Sequence, residues 1–456
     1  DAVELNPQAV RLLQDDFAEY TGLLVESPGV ELVSSDARGF LAGTDRRYDV
    51  LQLTVDGSGA SGGLSGLSED YELTVEMMRL YLKHLEPGGF LSITGSTRVP
   101  PRESLKLVSE LIEALQPLDA TDRLLMIRGW QTFTLLAKNG PAEAQDIARM
   151  RAFAESLSFD LVWYPGMRAS DANQYNQLRE PWYHEGVRAL LGDRREDFVA
   201  EYPFDIRPAT DDRPYFRNFF RWPLLVQGWE ARGRGGMTLL ELGYPLLVAT
   251  LLQALLAAML LIVFPLLFVG TRSHSTASQR WKVFAYFASI GLAFVFLEVV
   301  FLQKLMLLVH HPTMALALML AVFLAGAGAG SAFVGTRPPD SDRRTLLAAV
   351  AGILLLGTAG ALLLDSLSMS LAPVALAVRV IVASILILPL AVCMGMPVPL
   401  AIRRLEEVSV PWAWAINGCA SVVGAVLSTL LAIEFGFAAV LLLALLLYMV
   451  PVFVDS

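Results

Sequence analysis

The chain has 456 residues, of which 54% are hydrophobic, and a formal net charge of −10 at pH 7. Residues 1–236 contain 36 Asp and Glu against 25 Lys and Arg, whereas residues 237–456 contain 9 against 10. The acidic first half would repel nucleic acid, so we expect no nucleic-acid partner. The two cysteines, Cys393 and Cys419, lie in apolar segments, so no disulfide framework and no metal site is predicted.

The start of the chain predicts alternating strands and helices. A strand ends at Glu4, a helix follows over about 7–21, and a second strand over 30–33 precedes a turn that contains Asp36. Residues 47–54 have the composition of a buried strand.

The same alternation continues after a Gly/Ser-rich loop at 56–68. A helix is predicted over about 69–85, residues 86–89 form a stop signal, and residues 90–94 form the next strand. This order predicts one parallel α/β sheet, whose ligands bind outside the carboxyl ends of the strands. Glu4, Asp36 and Asp56 fall at such ends.

Several short motifs in this region resemble one family. They are Val-Glu-Leu-Asn-Pro at 3–7, Ser-Asp-Ala-Arg at 35–38, Tyr-Asp-Val-Leu at 48–51 and Leu-Glu-Pro-Gly-Gly at 85–89. Over roughly residues 1–140 the chain resembles the spermidine synthase branch of class I S-adenosylmethionine-dependent transferases. Segments 67–76, 204–216 and 291–298 resemble membrane-embedded spermidine synthase-like proteins, in which such a domain is fused to hydrophobic helices.

The resemblance implies a Rossmann-like domain and a cofactor site. Glu4 would bind the ribose hydroxyls of S-adenosylmethionine or its decarboxylated form, and Asp36 with Ala37 would face the adenine. It also implies that a first strand and a glycine loop precede Asp1. The acceptor would be a polyamine or a membrane-borne amine.

The catalytic position departs from the family pattern. Thr54 stands where aminopropyltransferases carry an acidic residue, which leaves Asp56 and Glu69 as the candidate catalytic acids. A carboxylate there would deprotonate or steer an attacking amine.

Structural interpretations of these residues remain open at this point. Glu4 and Asp36 also fit solvated strand-end acids, and Asp56 fits a turn residue. Glu69 fits a first-turn charge on a helix that Ser68 caps. The acidic and basic residues of segment 204–216 fit either a lid over a substrate or a structural clamp.

The second half predicts a helical membrane domain. Seven segments are apolar and long enough to cross a bilayer, at about 239–269, 284–309, 313–335, 345–364, 372–400, 412–433 and 437–454. The predicted organisation is therefore a nucleotide-binding domain at 1–140, an α/β extension and juxtamembrane segment at 141–236, and a transmembrane domain at 237–456.

Four polar residues in these spans form a candidate membrane cluster, because ionisable groups in a bilayer are expensive and usually face a partner or a wet cavity. They are Glu298, Gln303 and Lys304 on the second span and Arg379 on the fifth, and Arg379 is a predicted counter-charge for Glu298. The glycine run at 326–330 resembles a phosphate loop, but inside an apolar span it favours close helix packing.

Loop charges predict the orientation in the membrane. Arginine and lysine occur in alternate short loops, at 272–282, 337–344 and 403–404, which marks that side as cytoplasmic. With seven spans the α/β part would lie outside the cytoplasm, whereas Arg217, Arg221, Arg232 and Arg234 before the first span favour the opposite orientation, so the side stays open. The expected location is a bacterial inner membrane.

Three functions remain open: a membrane-anchored transferase, a catalytically degenerate scaffold subunit of a larger membrane complex, and a transporter-like membrane domain with a sensor domain. The expected partners are the lipid bilayer, other membrane subunits and, for the transferase, a small amine.

Overall fold

The structure is a computed structural model that describes residues 1–55, 64–230, 241–269, 277–405 and 410–454. It divides into two compact units, one formed by 1–44 with 247–456 and the other by 45–246. This division differs from the predicted domain boundaries, because the first 44 residues group with the membrane helices.

The N-terminal segment of the first unit contains two short strands and two short helices. They are β1 (Ala2–Glu4), α1 (Pro7–Arg11), β2 (Leu32–Ser34) and α2 (Ala37–Ala42). Asn6 caps α1 through a hydrogen bond to the Gln8 amide, and Asp36 caps α2 in the same way through the Gly39 amide. The helix predicted over 7–21 is interrupted, since a π-helical turn replaces it at Leu12–Asp16.

The second unit is built on a five-stranded sheet. Its elements are β3 (Tyr48–Val55), α3 (Val75–Lys83), β4 (Leu85–Ser96), α4 (Glu103–Leu115), β5 (Leu124–Arg128), β6 (Thr132–Lys138), α5 (Ala144–Ser156) and β7 (Asp160–Trp163), followed by α6 (Trp182–Leu190), α7 (Arg195–Glu201) and α8 (Trp222–Glu230). The strand order is β3-β4-β6-β5-β7.

The prediction of one parallel sheet is wrong. Strands β1 and β2 pair with each other in a sheet of their own, and only the β3–β4 pairing of the larger sheet is parallel. The other three pairings are antiparallel. Strands β5 and β6 form a hairpin, β6 lies against β4, and β7 lies against β5. The hairpin turns over residues 129–131, where the Gly129 amide donates to the Thr132 carbonyl at 2.7 Å.

Strand patterning explains the core of this sheet. From Phe90 onward, β4 alternates between half-buried and fully buried residues, as a strand does when its two faces have different environments. All five residues of β5 are buried, as its inner position between β6 and β7 requires; the first four are apolar, and the buried Arg128 pairs with Asp160 at 3.1 Å.

Among the described residues, seven helices are long and apolar enough to cross a membrane, which confirms the predicted spans. They are α9 (Gly243–Val269), α10 (Ala277–Val309), α11 (Pro312–Gly335), α12 (Asp342–Ser370), α13 (Leu376–Met394) continued by α14 (Pro397–Ile402), α15 (Val410–Phe435) and α16 (Phe437–Val454). The chain is therefore an integral membrane protein in contact with lipid.

Helix α10 is the most buried of these spans and packs against α11, α12, α13, α15 and α16. It runs parallel to α15: the Asn417 amide donates to the Phe287 carbonyl at 3.2 Å, and the Ser421 hydroxyl donates to the Gly291 carbonyl at 3.3 Å.

Small residues let α11 and α13 approach closely. A Cβ atom added at Gly330 would lie 2.0 Å from the Val392 carbonyl oxygen, and one at Gly395 would lie 2.1 Å from the Ala327 carbonyl oxygen. The run at 326–330 is therefore a helix-packing surface, as the sequence favoured.

Candidate functional site

The ends of β1 and β2 bring together two of the predicted cofactor residues. Glu4 is the last residue of β1 and is paired with Ser34, the last residue of β2. The Ser35 amide then donates to the Glu4 carbonyl at 3.2 Å, and Asp36 follows directly. Glu4 and Asp36 thus lie at the carboxyl ends of adjacent parallel strands, the place where such sheets bind ligands.

The side chains of Glu4 and Asp36 accept hydrogen bonds from nearby backbone amides. A Glu4 carboxylate oxygen accepts a hydrogen bond from the Asn6 amide at 2.7 Å, and Asp36 Oδ1 accepts one from the Gly39 amide at 3.0 Å. Ala37 is the first residue of α2.

The second oxygen of Asp36 faces a histidine from the membrane helices. Asp36 Oδ2 lies 3.7 Å from Nδ1 of His310, in the turn between α10 and α11. Burial lowers the pKa of His310, and the Asp36 charge opposes that shift. A Cβ atom added at Gly39 would lie 2.6 Å from Asp36 Oδ2 and 3.2 Å from the imidazole ring, so a side chain there would displace one of them.

The described part of the chain does not show either predicted catalytic acid in an open site. Asp56 lies outside the described residues. Glu69 is hydrogen-bonded by the Tyr71 hydroxyl at 2.5 Å, and burial raises the pKa of Glu69 while the Tyr71 and Tyr215 hydroxyls oppose the rise. The predicted cap and first turn are also wrong, because α3 begins at Val75 and Thr74 caps it.

Glu69 belongs to a clasp between two distant segments, 69–76 and 209–217. The amide of Asp70 donates to the Pro214 carbonyl at 2.7 Å, and the amide of Val75 donates to the Ala209 carbonyl at 2.9 Å. Since main-chain groups make these bonds, they favour the structural-clamp interpretation of the second segment.

Side chains complete the clasp. Thr74 Oγ1 donates to Asp211 Oδ1 at 2.8 Å, and the Asp211 amide donates to Glu76 Oε2 at 2.9 Å. Arg217 Nε lies 3.4 Å from Asp70 Oδ2. These two segments overlap the motifs at 67–76 and 204–216 that resemble membrane-embedded spermidine synthase-like proteins, and they are in contact in the structure.

Helix α4 carries a row of buried charges that the sequence did not reveal. Glu103, Lys106 and Glu110 are each less than 5% exposed. Their spacing of three and four residues places them on one helix face, a pattern that ordinarily indicates a solvated surface. The aromatic content of segment 204–219 was the available signal that this face is covered.

Lys106 is the centre of this row. Its ammonium group donates to the carbonyls of Asn218 and Tyr215 at 3.0 and 3.3 Å and lies 5.2 Å from the centre of the Phe219 ring. Burial lowers the pKa of Lys106 to about 8, although the nearby Asp205 and Glu110 charges oppose the shift.

The two glutamates of α4 have incomplete hydrogen bonding. Glu110 Oε1 accepts from the Ala209 amide at 3.2 Å, while Oε2 has no hydrogen-bond partner among the described residues. Glu103 Oε1 likewise has none and lies 2.6 Å from where a Cβ atom of Gly95 would be. Burial raises the pKa of both carboxyls, that of Glu103 to about 7.

The predicted membrane cluster does not form as one site. Lys304 Nζ forms an ion pair with Asp365 at 2.7 Å, and Gln303 is buried inside the bundle. Arg379 Nη1 donates to the carbonyls of Val309 and Leu308 at 3.1 and 3.2 Å, at the end of α10. The predicted pairing of Arg379 with Glu298 is therefore wrong, because that end lies about ten residues, or roughly 15 Å, further along the helix.

Among the residues that the structure describes, no group of three or more His, Cys, Asp or Glu side chains could hold a metal ion. Comparison with known proteins finds no matching family model and no matching curated protein.

Proposed function

We propose that the chain is a membrane-embedded scaffold subunit, whose α/β part retains a spermidine synthase-like fold without its catalytic role. The observation that supports this proposal is the use of Asp36, the acid that the family resemblance assigns to adenine. One of its oxygens caps α2, and the other faces His310. The capping oxygen is thereby used by the fold, and Oδ2 lies against the turn between α10 and α11 without a hydrogen-bond partner among the described residues.

The predicted catalytic positions support the same proposal. Thr54 provides no carboxylate, and it lies on β3, the edge strand of the sheet, where it is paired with Thr94 of β4. Glu69 is committed to the Tyr71 hydroxyl within the clasp. A carboxylate that acts as a general base must lie within reach of the substrate proton. Glu69 is instead hydrogen-bonded to another side chain of the protein.

The strand pairings support a Rossmann-like origin. Strands β1 and β2 are parallel, and so are β3 and β4, which are connected through α3. Parallel neighbours joined by a crossover helix are the repeating unit of doubly wound nucleotide-binding folds.

The distribution of charged loops supports a location in a bacterial inner membrane with the α/β part outside the cytoplasm. The basic loops at 337–344 and 403–404 meet at one end of the bundle, where Arg403 and Arg404 lie 3.4 and 3.8 Å from Asp342. Cationic loops remain on the cytoplasmic side. The other side lacks S-adenosylmethionine, which is compatible with a scaffold and opposes a transferase.

A second candidate function is the transferase, and the register of β1 and β2 favours it. The register sets Glu4 beside the residue pair Ser35 and Asp36, as a nucleoside site requires. Glu4 would bind the ribose of S-adenosylmethionine or of its decarboxylated form, and the acceptor would be a polyamine or a membrane-borne amine.

Thermal unfolding of the full chain in detergent separates the two candidates. The ligands tested are S-adenosylmethionine, its decarboxylated form and methylthioadenosine. Unfolding detects their binding because a ligand at 100 times its Kd stabilises the native state by about 2.7 kcal/mol. The scaffold proposal expects no ligand-induced rise in melting temperature. It also expects Asp36→Ala to destabilise the ligand-free protein by about 1 kcal/mol, since α2 loses its cap.

The opposite result identifies the transferase. A ligand-induced rise that Glu4→Ala abolishes, and that Glu19→Ala leaves intact, would contradict the scaffold. Glu19 is a suitable control because it is an exposed acid in the same segment.

A further inference from the structure

Glu298 is an acid in the interior of a membrane span. It belongs to the span Ser278–Val309 and lies eleven residues before its end. At 1.5 Å per residue this is about 16 Å along the helix axis, near the middle of a hydrocarbon core about 30 Å thick. The side chain is half-buried on α10, the helix that packs against five others.

Glu298 has no ion pair and no hydrogen bond to any residue that the structure describes. The charged or titratable groups on the five helices packed against α10 are Asp342, Arg343, Arg344 and Asp365 on α12, Arg379 and Cys393 on α13, Cys419 and Glu434 on α15, and Tyr448 on α16. Asp342, Asp365 and Arg379 have other partners near the ends of the bundle.

Tyr448 lies on α16, which packs against α10, and it is the titratable group of that helix. It is completely buried, and its hydroxyl has no hydrogen-bond partner in the described part of the chain. A buried hydroxyl without a partner is costly, so two neighbouring polar groups are left unsatisfied in an apolar surrounding.

We propose that Glu298 and Tyr448 form a proton-binding site inside the membrane unit. A carboxyl in an apolar environment without a counter-charge avoids the cost of ionisation by keeping its proton. A tyrosine hydroxyl both donates and accepts, so it can serve either form of the acid. The two groups are not hydrogen-bonded in this structure, so the site forms when the Glu298 side chain turns to the Tyr448 hydroxyl, which then accepts from the protonated carboxyl or donates to the carboxylate.

Proton binding is distinct from the scaffold function, because it requires only the membrane helices. Glu298 is half-buried, so its side chain has room to move, while the full burial of Tyr448 fixes the hydroxyl within the bundle.

Dicyclohexylcarbodiimide, a lipid-soluble carbodiimide, tests the site on the full chain in phosphatidylcholine vesicles. The reagent takes the acid proton on its nitrogen, the carboxylate oxygen bonds to its central carbon, and an acyl shift to nitrogen yields a stable adduct. Mass spectrometry should find the adduct at Glu298. Its formation rate should fall about tenfold for each pH unit above the midpoint, following the protonated fraction.

Asp365 is the internal control. It is paired with Lys304 and its side chain is 47% exposed, so a water-soluble carbodiimide should modify it while the lipid-soluble reagent should not. Glu298→Gln should abolish the adduct at residue 298. Tyr448→Phe should retain the adduct and move its midpoint to higher pH, because the carboxylate loses a donor.

An infrared measurement does not depend on reagent access. The difference spectrum between wild type and Glu298→Gln at neutral pH should contain the carbonyl band of a protonated carboxyl. Absence of that band, or labelling of Glu298 at a rate independent of pH, would overturn the proposal. An unchanged midpoint in Tyr448→Phe would overturn the role of Tyr448.

Discussion

The hydroxyl of Thr74 donates a hydrogen bond of 2.8 Å to the carboxylate of Asp211, which lies 137 residues further along the chain. Thr74 also caps α3 through the Met77 amide, so one side chain both starts a helix and holds the returning segment. The Asp211 amide in turn donates to Glu76 in the first turn of α3. Asp211 and Glu76 therefore connect distant parts of one unit.

The Thr74–Asp211 bond should contribute measurably to stability. A double-mutant cycle with Thr74→Ala and Asp211→Ala should give a coupling free energy of about 1.5–3 kcal/mol, the range for a hydrogen bond to a charged group. Urea unfolding of the full chain in detergent, followed by tryptophan fluorescence, provides the four free energies. The cycle of Thr74→Ala with Asp193→Ala, an exposed acid without a contact to Thr74, should give a coupling near zero. A similarly small coupling for Thr74 with Asp211 would show that the clasp does not depend on this bond.

Glu103 should make the stability of the protein depend on pH. Burial raises the pKa of Glu103 from 4.5 to about 7, while the Arg217 and Arg98 charges oppose the rise. The folded state thus binds the proton more tightly than the unfolded state, and stability falls as pH rises from 4.5 to 7. The loss amounts to about 3 kcal/mol, at 1.36 kcal/mol per pKa unit.

The Glu103→Gln variant isolates this contribution because glutamine cannot ionise. The difference in unfolding free energy between the variant and the wild type should grow in favour of the variant from pH 4.5 to 7 and stay constant above that. Unfolding curves whose difference does not change with pH would exclude an elevated pKa at Glu103.

Local sequence patterns predicted the individual helices and strands of this protein better than they predicted which of these elements pair with each other. The seven spans were predicted because hydropathy is a property of each segment alone, and β3 was predicted at 47–54 and observed at Tyr48–Val55. The prediction that this strand is buried is wrong, because β3 is an edge strand whose residues before Val55 are half-buried or exposed. The antiparallel β5–β6 hairpin was missed because its position against β4 depends on pairing between distant strands.

The partners of buried charged residues were likewise not predictable from local sequence. Nothing within α4 indicates that segment 204–219 covers Lys106, and nothing within α13 indicates that Arg379 meets the end of α10. Glu4 and Asp36 were predicted to lie at one sheet edge, and the pairing of β1 with β2 brings their strand ends together. The contact of Asp36 with His310 could not be predicted, because 274 residues separate them in the chain.

Close packing of α11 against α13 should make Gly330 intolerant of a side chain. Gly330→Ala places a methyl group 2.0 Å from the Val392 carbonyl oxygen, so the helices must separate and the melting temperature in detergent should fall. Gly328→Ala is a matched control on the same helix, since its added Cβ atom meets nothing within 4 Å. The control should be neutral or stabilising by up to about 1 kcal/mol, because alanine favours helix more than glycine does. Equal effects of the two substitutions would contradict the packing interpretation.

The orientation of the chain in the membrane provides the last prediction. Seven spans, with arginine and lysine in alternate short loops, lead us to expect residues 45–246 outside the cytoplasm. Ser170 is exposed and lies beyond the sheet strands, so Ser170→Cys introduces an accessible thiol without removing a core contact. An impermeant maleimide should label this variant in intact cells, with the unmodified chain as the control for Cys393 and Cys419 inside the spans. Protection of the new thiol until the cells are lysed would instead place the α/β part where S-adenosylmethionine is available. In that case the transferase would become the better explanation of the adjacent strand ends at Glu4 and Asp36, and the scaffold proposal would lose its support from the loop charges.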